Sequence, residues 1–117
     1  MKKKAILLCL AACIFLTACG KKAITDEQAV KAVQRYCYTQ NPDLESMVNT
    51  GEYPVYWDVS SSDPHEIVVL FRSYTGAQIR YYIDPASGDT YVTEFVPGIT
   101  PEEERTEEVF NVRDYLN

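Results

Sequence analysis

His65 is the only histidine of the 117-residue chain. It follows Ser60-Ser61-Ser62-Asp63-Pro64, so serine, histidine and aspartate all occur, but as neighbours in one turn. A catalytic triad needs these groups to converge from separate elements beside an oxyanion hole. No nucleophile-elbow glycine pattern accompanies them. A zinc site from His65, Cys37 and carboxylates lacks the paired ligand spacing such sites use. Asp84 to Asp89 lacks the ligand order and central glycine of an EF-hand. No phosphate-cradling or dinucleotide glycine pattern occurs. The expectation is a protein without enzymatic activity, catalytic residues, metal or cofactor.

The remaining chemistry lies at the N-terminus. Lys2, Lys3 and Lys4 form a basic start, and Ala5 to Leu16 is an uncharged apolar run. A dozen apolar residues fall short of the roughly 20 that a membrane-spanning helix needs. The layout is that of a secretory signal peptide. Its end, Leu16-Thr17-Ala18-Cys19-Gly20, resembles the lipobox of bacterial lipoproteins. That resemblance implies cleavage after residue 18 and a diacylglyceryl thioether, carrying palmitate-type acyl chains, on Cys19. At about 0.8 kcal/mol per buried methylene, two chains anchor stably where one does not. Residues 1–18 are then the signal, 19–24 a lipidated tether and 25–117 a single domain. The expected location is the cell membrane, on its extracytoplasmic face.

Loss of the signal removes three of the 11 Lys and Arg and none of the 17 Asp and Glu, so the net charge moves from −6 to −9. Such a domain is repelled by nucleic acid, so no nucleic-acid partner is expected. Cys9 and Cys13 leave with the signal and Cys19 carries lipid. Cys37 then has no partner for an internal disulfide, and its position on an apolar stripe marks it as a core residue.

These groups need elements to position them. Thr25-Asp26-Glu27-Gln28 is a capping box with acidic residues in the first turn. Ala29, Val30, Val33, Tyr36 and Cys37 follow on one face of a helix. The helix ends before Asn41-Pro42, because proline disfavours helical conformation in the residue preceding it, and a loop around Asn49-Thr50-Gly51 follows. Alternation then predicts strands over Tyr53–Ser60, His65–Tyr74, Ala77–Asp84 and Asp89–Val96, with Thr75-Gly76 as one hairpin turn. Thr100-Pro101-Glu102-Glu103 looks like a second capping box. With Val109, Val112 and Leu116 it predicts a C-terminal helix. The expected fold is α+β: an N-terminal helix packed on a four-stranded antiparallel sheet, with a C-terminal helix.

Tyr81-Tyr82-Ile83-Asp84-Pro85-Ala86-Ser87-Gly88 resembles the end of the PepSY domain, in which a hydrophobic strand runs into Asp-x-x-Thr/Ser-Gly. The helix from Asp26 to Val33 looks like that family's opening helix. Asp84, Ser87 and Gly88 occupy the motif positions. Their physical role is local: Asp bonds backbone amides inside the turn, and Gly accepts positive φ. The resemblance implies an extracytoplasmic interaction or regulatory module for an envelope protein, of a kind suggested to restrain peptidases. It implies no catalytic residues. The alternative is a cystatin-like lipoprotein that binds a small ligand or cell-wall glycan. Tyrosine and tryptophan suit binding faces, and Trp57, Arg80 and Tyr82 are the candidate binding residues. Alternation puts Tyr81 and Tyr82 on opposite faces, and Tyr82 beside Arg80 is assigned to the open one.

Overall fold

A computed structural model describes residues 22–51 and 55–116. The signal segment, Cys19, Tyr53 and Pro54 lie outside the described residues. Helix α1 runs Asp26–Gln40 and helix α2 runs Pro42–Thr50. Five strands follow: β1 Tyr56–Ser62, β2 Ile67–Arg72, β3 Gln78–Ile83, β4 Asp89–Phe95 and β5 Glu104–Asn111. A 3-10 turn, Val112–Tyr115, closes the described chain. The strands form one antiparallel meander in sequence order.

Helix α1 begins as its residues dictate. Thr25 Oγ1 accepts from the Gln28 amide at 3.2 Å, and Gln28 Oε1 accepts from the Thr25 amide at 3.0 Å. Two otherwise orphaned donors are satisfied reciprocally. The buried face is Ala29, Ala32, Val33, Tyr36 and Cys37. It meets Ile67, Val69, Phe71, Tyr81, Ile83 and Val92, which all project from the same side of the sheet, and Val112 of the 3-10 turn. Each large aliphatic side chain removed from water here contributes about 1.5–3 kcal/mol.

Two sequence expectations are corrected. Asn41-Pro42 ends α1 but also starts α2, where Pro42 takes the first helical turn. Proline suits that position because its missing N–H would have no intrahelical partner anyway. Leu44 is buried and Val48 packs against the core, and Gly51 closes the helix at φ 68°. The larger correction concerns the C-terminus: among the described residues the sheet has five strands, not four, and only a short 3-10 turn follows in place of the expected C-terminal helix. Thr100 does not cap a helix; its Oγ1 accepts from the Val96 amide at 2.9 Å within a turn. Residues 104–111 pair with β4 instead. The pairing sets Phe110 face to face with Tyr36 at 3.6 Å between ring centroids. Val109, a member of the expected apolar helix stripe, is 66% exposed on the other side of the sheet.

Strand β5 is irregular. Thr93 pairs with Arg105 and Tyr91 with Val109, so three residues of β5 oppose Val92 alone. Thr106 Oγ1 donates to the Val92 carbonyl at 3.0 Å and accepts from the Glu108 amide at 3.1 Å. The bulge returns Glu108 and Phe110 to the helix side, where the Tyr36 hydroxyl donates to the Glu108 carboxylate. Burial and that carboxylate both push the Tyr36 phenol well above its ordinary value.

Candidate functional site

Both helices contribute to the core on one side of the sheet. Register places Arg72, Gln78 and Phe95 in one row across the other side, Arg80, Thr93 and Arg105 in a second, and Val68, Tyr82, Tyr91 and Val109 in a third. Val68 is 5% exposed, yet it is not part of the cluster that the helices cover. This open face carries the candidate site.

Its centre is aromatic. The Tyr82 and Tyr91 rings stack at 4.7 Å with 4° between their planes. The Arg105 guanidinium lies 4.1 Å from the Tyr91 ring centroid, a cation–π distance. Beside them is a groove of about 650 Å³ whose walls include His65, Glu66, Tyr82, Tyr91, Arg105 and Val109. Asp84 and Asp89 also line the groove. At the neighbouring row, Glu103 crosses the face. Thr93 Oγ1 donates to Glu103 Oε2 at 2.6 Å, and the Tyr82 hydroxyl donates to the same oxygen. Arg80 Nη1 lies 3.8 Å from Glu103 Oε1. Partial burial raises the Glu103 carboxyl, but the Thr93 and Tyr82 hydrogen bonds and the Arg80 charge outweigh it. The carboxyl therefore sits below its ordinary value. Burial first, then the Glu103 carboxylate, pushes the Tyr82 phenol up to about 12.

The three residues named from sequence do not form one site. Arg80 and Tyr82 share the open face and both reach Glu103. Trp57 lies on the helix side, stacked on Phe71 at 4.8 Å and edge-on to Tyr38 at 5.6 Å. Tyr81, by contrast with Tyr82, is 4% exposed and contacts Cys37 through its hydroxyl, 3.2 Å from the sulfur. Burial raises the Cys37 thiol above its ordinary value, and the Tyr81 hydrogen bond only partly offsets it. A thiol in that state is a poor nucleophile. Tyr91, Thr93, Glu103, Arg105 and Val109 escaped sequence reasoning. The signal that could have found them was strand-like β-branched and aromatic content in Thr106, Val109 and Phe110.

The turn motif has a structural task. Asp84 Oδ1 accepts from the amides of Ala86 at 2.8 Å and Ser87 at 3.3 Å. Gly88 sits at φ 86°, and its amide donates to the Asp84 carbonyl at 2.7 Å. The turn then grips both ends of the described chain. The Ile24 amide donates to the Pro85 carbonyl at 2.8 Å, and the Val112 amide donates to the Gly88 carbonyl at 2.9 Å. Arg113 Nη2 donates to the carbonyls of Lys22 and Ala86, each at 2.9 Å.

Among the described residues no group of three His, Cys, Asp or Glu side chains is placed to hold a metal ion, and no helix is long and apolar enough to cross a membrane. No family model, curated protein or solved structure matches the chain.

Proposed function

We propose that this chain is a membrane-anchored extracytoplasmic interaction module, without catalysis of its own, that binds an envelope protein through the open face of its sheet. The anchor is the lipid expected on Cys19. The observation that carries the reading is the aromatic groove: a stacked Tyr82–Tyr91 pair, Arg105 above it and exposed Val109 beside it, on the side of the sheet the helices leave bare. Tyrosine and arginine are the side chains that dominate binding hot spots. Restraint of a peptidase is one form such binding takes, and it is what the PepSY resemblance implies.

The test is capture from the native envelope extract on the immobilised full chain, read by mass spectrometry. A stoichiometric protein partner retained by the native chain and lost by Tyr91→Ala with Arg105→Ala supports the reading. No partner, or one retained equally by that variant, overturns it. The groove volume, about 650 Å³, also lies within the range of small-molecule sites. It supports the second reading, a small-ligand or glycan binder. Trp57 fluorescence is a poor reporter for that reading, because the indole packs on the far side of the sheet from the groove.

A further inference from the structure

Glu103 lies just outside β5, on the segment that joins β4 to β5, and its carboxylate reaches back over two central strands. The groups that receive it are fixed without its help. Arg80 and Thr93 are register partners on β3 and β4. Arg80 Nη2 donates to Gln78 Oε1 at 3.1 Å, and the Tyr82 ring is held by its stack on Tyr91. Two hydroxyls and a guanidinium from regular strands thus converge on one carboxylate, which is the donor set of a carboxylate-binding site.

The fit of the internal carboxylate is incomplete. An arginine that recognises a carboxylate well makes two parallel hydrogen bonds of about 2.7–2.9 Å. Here the closest approach of Arg80 to Glu103 is 3.8 Å, from one nitrogen to one oxygen. Both hydroxyls act on the other oxygen. In this arrangement the arginine fork is underused. Much of the joining segment is exposed, Ile99 at 80%. Glu102 and Glu104 flank Glu103 in the chain, while register places the cation Arg105 beside Thr93 and Arg72 in the next row.

The geometry points to a carboxylate-binding site formed by Arg80, Tyr82 and Thr93, occupied at rest by the chain's own Glu103 and taken over by an Asp or Glu side chain of the bound partner. The inference rests on the interaction reading above and gives the partner segment its chemistry. Glu103 acts as a tethered competitor. Its effective concentration, in the millimolar range or above for a short link, sets the threshold that a partner carboxylate must exceed. A segment that also packs on Tyr91 and Val109 exceeds it where a free carboxylate does not. Displacement frees the joining segment from the open face.

The test uses the full chain in detergent, with sodium propionate as the probe and sodium chloride at equal ionic strength as the control. Thermal midpoints are read from Trp57 fluorescence. In Glu103→Ala, propionate is expected to raise the midpoint with the logarithm of its concentration above the dissociation constant, by about 5–10 °C at tenfold excess, with chloride inert. The native chain responds less, because Glu103 competes. Adding Arg80→Gln to Glu103→Ala abolishes the response. If Glu103→Ala does not fold, Glu103→Gln carries the same comparison, since a neutral amide competes weakly for the guanidinium. Equal midpoints in propionate and chloride, or a response that survives Arg80→Gln, overturn the site. A propionate response in a chain that captures no partner leaves the site standing and overturns the interaction reading; capture without a propionate response does the reverse.

Discussion

Gly88→Ala should be among the most damaging single-methyl additions in this domain, and its cost can be worked from three observations. The residue sits at φ 86°, a conformation that L side chains rarely adopt. Forcing alanine into positive φ costs about 1–2 kcal/mol. The new Cβ would also lie 2.5 Å from Asn111 Oδ1 and 2.9 Å from Arg113 Cγ. Asn111 cannot retreat freely. Its Oδ1 accepts from the Arg113 amide at 2.8 Å, and its Nδ2 donates to Ser87 O and Asp89 Oδ1, each at 3.0 Å. Losing two of these bonds adds about 2 kcal/mol at roughly 1 kcal/mol each. The expected total is about 3–4 kcal/mol, which for a domain of this size lowers the melting midpoint by roughly 12–30 °C. Urea unfolding followed by Trp57 fluorescence measures it. Gly76→Ala is the control: φ is 91° there, but nothing lies within 4 Å of an added Cβ, so only the backbone penalty of about 1–2 kcal/mol remains. A Gly88→Ala cost no larger than that of Gly76→Ala would refute the close approach of Asn111 and with it the clamp on the C-terminus.

Two further outcomes follow from the polar contacts on either side of the sheet. Tyr36→Phe removes the hydroxyl that donates to Glu108 while keeping the stack on Phe110. The expected loss is about 1–2 kcal/mol in urea unfolding at neutral pH, since one partner is charged but the pair is only partly buried; no loss would show that the ring alone holds β5. Glu103→Gln should show a stability gap to the native chain that depends on pH. Because the folded carboxyl lies below its ordinary value, its stabilisation is fully present above the unfolded value of about 4.3 and is lost as pH falls through the lower folded value. The gap measured by urea unfolding is therefore flat from pH 7 to about 5.5 and shrinks below about 4.5; a gap that widened on acidification would refute it.

Helix α1, the strands up to β4 and the Asp84–Gly88 turn are legible in sequence because their signals are local. The Thr25–Gln28 capping box and the apolar face of α1 need no tertiary information, and both stand in the structure. The strand alternation around Tyr81 and Tyr82 is equally local. Asp84 and Gly88 announce their turn by residue type alone. The C-terminal third was misread because its local signals conflict. Thr100 and Glu103 have capping-box spacing, but each finds a different partner, Val96 for one and Thr93 with Tyr82 for the other. What decides for the strand is the open edge of β4 and the Tyr36 ring waiting for Phe110. Neither is visible from the segment itself, and tertiary pairing overrides weak helical preference. Helix α2 is hidden for a simpler reason. Proline signals a stop to the helix before it, whereas at the first turn of the next helix it is a start. The candidate site inherits the C-terminal error and adds one of its own. Glu103 and Arg105 were assigned to a helix and so could not be seen beside Arg80 and Tyr82, while Trp57 was assigned by residue type to a face it does not share.

The grip of the Asp84–Asp89 turn on Lys22, Ile24, Val112 and Arg113 also has a mechanical meaning. A pull on the N-terminus does not reach α1 first. It loads the Ile24–Pro85 and Lys22–Arg113 hydrogen bonds, which hand the force to the turn and to the end of the sheet. A lipid at Cys19 would stand five residues before Ile24, a reach of at most about 18 Å. The end of the sheet that carries the groove would then hover close above the bilayer, so the height at which a partner presents its binding segment becomes a condition for capture alongside its chemistry.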